Sequence, residues 1–112
     1  DIVTVKYSQT ITGISTESDI TKNFNLFQNY PNPFNPVTIL EFGISDFGFV
    51  TLKIYDVLGK EVMVLVNKVM NPGTYNYNCD GSHLPGGIYF YELKIESDKE
   101  LYSEVKRMIL LK

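Results

Sequence analysis

At 112 residues, 44% of them hydrophobic, the chain has material for one small domain whose core needs no metal or disulfide staple. A net charge of −3 and a pI near 5.0 argue against a nucleic-acid surface or an anionic membrane as partner. Eight Tyr, seven Phe, no Trp and only 21% charged residues favour strands over helices.

Residues Asp1 to Tyr7 alternate loosely and could form a strand. That strand either ends a preceding domain or pairs onto an open edge of this one. The chain opens on Asp1 without Met or a signal peptide, which suggests a piece of a longer protein. Ser8 to Asn25 is rich in Ser, Thr and Asn and lacks a sustained period, so it reads as a linker where a protease should cut first. Asn29 to Pro36 holds three of the five prolines and reads as a stiff, non-helical lead-in, with Tyr30 and Phe34 pinning it to the core.

Strand patterns then follow one another. Thr38, Leu40, Phe42 and Ile44 share one face of the first, which ends at Ser45-Asp46-Phe47-Gly48. The second, Phe49 to Asp56, turns Val50, Leu52 and Ile54 inward and Thr51 and Lys53 outward. Val57-Leu58-Gly59-Lys60 closes a tight hairpin in which Gly59 takes φ > 0. The third run, Lys60 to Val66, places Val62, Val64 and Val66 on one side, with Leu65 marking a bulge. Asn71-Pro72-Gly73-Thr74 fits a type II turn. The fourth run, Thr74 to Cys79, shows Tyr75 and Tyr77 on one face.

The most regular run is Gly86 to Ile95. Its core face carries Tyr89, Tyr91, Leu93 and Ile95, and its outer face Ile88, Phe90, Glu92 and Lys94. After the polar break at Ser97-Asp98-Lys99-Glu100, Leu101 to Lys112 should return as the second arm of a hairpin. The stretches around Gly73 and Gly87 echo each other, each glycine leading two residues later to a Tyr that begins a Tyr-x-Tyr. Such a Tyr packs its ring inside and can return its hydroxyl to the preceding turn, like the tyrosine corner of immunoglobulin-like domains. The whole reads as an all-β, immunoglobulin-like antiparallel sandwich of about seven strands.

Catalytic chemistry is not legible. His83 is the single His and lies in a Ser82-His83-Leu84 loop, four residues from the unpaired Cys79. One His and one Cys fill neither a nucleophile–base pair nor a structural zinc site. Asp56, Asp80 and Asp98 sit at turns, where Asp is expected for local hydrogen bonds. No enzyme activity, cofactor, metal or small-molecule substrate is expected, and the chain is expected to be a monomer.

The motifs NYPNPFNP from Asn29, FVTLKIYDVLGKEV from Phe49, PGTY from Pro72, GGIYFYEL from Gly86 and KRMILLK from Lys106 occur in order. The sequence resembles the type A C-terminal sorting domain of the type IX (Por) secretion system of Bacteroidota. The resemblance implies an immunoglobulin-like domain that the outer-membrane translocon reads after its cargo has crossed the periplasm. A sortase-like cysteine peptidase would then remove it, leaving the cargo at the cell surface or outside. Carried over by motif, Gly73, Tyr75, Gly87 and Tyr89 are structural, and Lys106, Arg107, Met108, Ile109, Leu110, Leu111 and Lys112 would be the translocon signal. Residues 1–24 would then be the end of an N-terminal cargo domain plus linker, with cleavage around Thr21, Lys22, Asn23 and Phe24. Residues 25–112 would be the sorting domain. A glycan- or protein-binding module is the alternative, for which exposed Phe47 and Phe90 would form an aromatic platform.

Overall fold

The computed structural model of the chain describes residues 24–98 and 100–112. The strand expected over residues 2–7, most of the linker, and Thr21, Lys22 and Asn23 lie outside them. The elements are β1 (Asn25–Leu26), β2 (Val37–Ile44), β3 (Gly48–Tyr55), β4 (Glu61–Met70), β5 (Gly73–Asp80), β6 (Gly87–Glu96) and β7 (Leu101–Leu110). They form two sheets, β1-β2-β5 and β4-β3-β6-β7, in which every strand pair is antiparallel. This is the all-β sandwich that the alternating pattern predicts.

One core lies between the sheets. It takes Leu40, Phe42 and Ile44 from β2, Val50, Leu52 and Ile54 from β3, and Tyr91, Leu93 and Ile95 from β6. Apolar side chains at every second position bury one face of each strand against the opposite sheet, the main favourable term in folding. Cys79 is buried in the same cluster as a small apolar side chain.

Two tight hairpins stay within a sheet, as does the longer connection from β1 to β2 over residues 27–36. Between β3 and β4, the Asp56 carboxylate accepts the N–H groups of Leu58 and Lys60 at 2.9 Å, while Gly59 takes φ +83°. Between β6 and β7, Ser97 donates its N–H to the Glu100 carbonyl at 2.9 Å. The connections from β2 to β3, β4 to β5 and β5 to β6 instead carry the chain from one sheet to the other.

Four expectations need correction. Gly73 has φ +155°, not the roughly +80° of a type II turn, because Asn71–Pro72 passes the chain between sheets instead of folding it back. β4 runs on to Met70, and its valines do not share a face. Leu65 is bulged out of register as expected, but a second irregularity omits Val62, so Met63 faces Ile54 and Val64 is exposed. Tyr75 and Tyr77 are half-buried, because β5 is an edge strand and their rings lie against Phe42 at 5.6 and 6.0 Å between centroids. Finally, Tyr30 is 78% exposed, so of the two aromatics in the proline segment only Phe34 reaches the core.

Candidate functional site

The two glycine–tyrosine echoes are one local device. Gly73 and Gly87 both take a large positive φ, +155° and +149°, at the first residue of a strand entered from the other sheet. Two residues on, Tyr75 donates its hydroxyl to the Asn71 carbonyl at 2.7 Å, and Tyr89 to the Pro85 carbonyl at 2.6 Å. Each bond spans four residues and closes the corner just turned. Gly73, Tyr75, Gly87 and Tyr89 thus form two corners on successive sheet crossings, not one surface.

Period-two alternation divides the seven terminal residues. Met108 and Leu110 enter the core. Lys106 lies on their side of the strand and pairs with Glu104 at 3.5 Å. Arg107 and Ile109 point the other way, across β6 from Phe90 and Ile88 in register, and Leu111 is exposed. Lys112 folds back to donate its ammonium to the Ser82 carbonyl at 2.7 Å. Beside it, the carboxyl of Asp80 is held below its ordinary range, first by the hydroxyl and N–H of Ser82 and then by the charges of His83 and Lys112.

The outer edge along residues 107–111, at the end of β7, is occupied. Residues 28–34 run along it as a strap, making the parallel bridge Phe34–Leu110. Phe34 donates its N–H to the Ile109 carbonyl at 2.9 Å and accepts the Leu111 N–H at 2.8 Å. The Asn32 side chain accepts the Ile109 N–H at 3.0 Å, and Gln28 donates to the Arg107 carbonyl at 2.8 Å. This end of the strand is therefore not an open edge to which a partner could add. Its edge partners come from its own chain, about 75–80 residues away, a pairing that no local pattern reveals.

Asn29 holds the strap in place. Its N–H donates to the Tyr91 hydroxyl at 2.8 Å, and that hydroxyl donates to the Phe27 carbonyl at 2.8 Å. The Asn29 amide donates to Thr38 Oγ1 at 3.0 Å and to the Pro31 carbonyl at 3.1 Å and accepts from Gln28 Nε2 at 2.7 Å, so its buried side chain is satisfied. Burial pushes the Tyr91 phenol up to about 12. The sequence gives a sign of this only in retrospect, as an Asn within an aromatic, proline-rich run.

Phe24, expected in the cleavage region, is buried with its ring against Tyr102 at 5.1 Å. Of the two aromatics considered for a glycan platform, Phe47 is exposed and Phe90 is half-buried. The two lie in different parts of the sandwich, Phe47 before β3 and Phe90 within β6.

The sequence profile of the secretion system C-terminal sorting domain family matches residues 28–110. No curated protein sequence matches the chain. Solved structures that share its fold include two from bacteria. Dimeric latent PorU from Porphyromonas gingivalis superposes with a TM-score of 0.63 at 18% identity, covering 93% of this chain and 10% of that one. The endo-β-1,4-mannanase from Thermotoga petrophila gives 0.60 at 14% identity, covering 85% and 21%. The chain thus spans a minor part of either protein, and at these identities the likeness concerns fold alone.

Proposed function

The chain belongs to the secretion system C-terminal sorting domain family, and on that premise we propose how it acts. It is a type IX sorting signal, a domain that directs the protein carrying it to the cell surface or the extracellular space. The observation that carries this is the family match across residues 28–110, which takes in strap, corners and terminal strand together.

In the proposed sequence of events, the folded domain arrives in the periplasm behind its cargo and docks on the outer-membrane translocon as a monomer. Residues 106–112 form the centre of the surface that is read. A sortase-like cysteine peptidase then separates cargo from domain. The burial of Phe24 supports a cut on its N-terminal side, around Thr21, Lys22 and Asn23. The function is one of surface, not catalysis. His83 sits in an exposed loop, and the Cys79 thiol is buried and pushed up to about 11 by that burial and by Asp80. A low thiolate fraction makes a poor nucleophile.

The test is a periplasmic reporter fused ahead of the full chain in a host with a type IX system. The reporter should appear outside the cells, and in the periplasm when the translocon is deleted. Retention in the periplasm with an intact translocon would overturn the proposal. A glycan-binding module would instead retain neutral sugars on an affinity gel without changing the reporter's location.

A further inference from the structure

The export signal and the strap raise a question of geometry. A partner can read a terminal strand in two ways, by adding its own strand to the free edge or by resting on the side chains of the exposed face. Along residues 107–111 at the end of β7 the first route is taken. The Arg107 carbonyl, both main-chain groups of Ile109 and the Leu111 N–H are bonded to Gln28, Asn32 and Phe34 of the same chain. The second route is open. Ile88 is 40% exposed and faces Ile109 across the β6–β7 pair, with Arg107 one row further along and Leu111 beyond at 52%.

We infer that the export machinery reads this domain through the outer face of β6–β7, as a composite of Ile88, Arg107, Ile109 and Leu111, and not by adding a strand to the end of β7. The inference rests on the sorting function proposed above and adds Ile88, which lies outside the terminal seven residues. The partner it fits is an apolar protein surface rimmed by carboxylates. Three of the ten Lys and Arg residues fall in the last seven positions of a chain whose net charge is −3. Arg107 flanks the apolar patch while Lys112 is held on the Ser82 carbonyl at the chain end, and opposite charge on the partner would orient docking. The strap has a defined part in this surface. By satisfying the edge it holds β7 flat against β6, so that alternate side chains keep one fixed spacing on the face.

The test uses the full chain behind the reporter, with export and melting temperature measured for each variant. Ile88→Glu should lower export about tenfold or more at an unchanged melting temperature, as the loss of a buried interface side chain does. Ile88→Thr, which keeps a β-branched side chain and so protects the strand, should lower it by a smaller factor. Arg107→Glu should act like Ile88→Glu. Asn32→Ala, which frees the Ile109 N–H, should not raise export. Undiminished export of folded Ile88→Glu, or a gain on freeing the edge, would overturn the inference while leaving the sorting function intact. Retention of the parent fusion would overturn both.

Discussion

Asn29 donates its backbone N–H to the phenol oxygen of Tyr91 at 2.8 Å, a buried bond between residues 62 positions apart. The same hydroxyl donates to Phe27, so one atom fixes the start of the strap from both sides. Tyr91→Phe keeps the ring but leaves a buried N–H and a part-buried carbonyl without their partner. It should cost about 2–4 kcal/mol in urea unfolding. Tyr75→Phe, whose hydroxyl bond is exposed, should stay within about 1 kcal/mol. Equal losses for the two would refute the assignment of Tyr91 as the anchor.

Two glycines are required for different reasons, and alanine separates them. A Cβ on Gly48 would sit 2.6 Å from the Glu96 carbonyl oxygen, so β3 and β6 must part to admit it. Gly48→Ala should cost about 3 kcal/mol, the upper range for overpacking. At Gly59 nothing lies within 4 Å, and only the φ of +83° resists a side chain. Gly59→Ala should therefore cost only about 1 kcal/mol. Chemical denaturation of both variants checks the order.

Alkaline pH should unfold the domain through groups that are buried neutral. Burial raises Cys79 from 9.0 to about 11 and Tyr91 from 10.0 to about 12. Each is protonated in the fold beyond the pH at which it ionises in the unfolded chain. Its contribution is therefore complete below the unfolded value and lost as pH rises through the folded one. Stability should fall between pH 9 and 12, by roughly 2–3 kcal/mol for each group. Cys79→Ala should remove the earlier part of the decline, between pH 9 and 11. Urea titrations at stepped pH provide the readout, and a curve that Cys79→Ala leaves unchanged would contradict it.

At the chain end, two changes should have different outcomes. Lys112→Ala removes an exposed ammonium bonded to one carbonyl, and should move stability by less than about 0.5 kcal/mol while lowering export. Deleting Met108–Lys112 removes two side chains from the core, and should cost roughly 5 kcal/mol or more. Its export defect would then report unfolding. Melting temperature and export measured together distinguish these cases, and export of Lys112→Ala at the parental level would remove Lys112 from the recognised surface.

The alternation of Val50, Leu52 and Ile54, and of Tyr89, Tyr91, Leu93 and Ile95, determined which faces are buried, since a strand has a fixed period and one face must leave water. The Gly-x-Tyr echoes likewise announced two similar corners, because glycine supplies the φ and tyrosine reaches back only a few residues. Local chemistry of this kind is written into neighbouring positions. The bulge at Val62, the half-exposure of Tyr75 and Tyr77, and the exposure of Tyr30 depend on which strand lies alongside and which is an edge. The strap depends on it most. Whether residues 106–112 present an edge or a face was decided by Gln28, Asn32 and Phe34, brought there by the packing of two whole sheets. Hydrogen bonds between such distant segments leave no periodic trace in sequence, so only the tertiary structure could show that the signal's edge is closed.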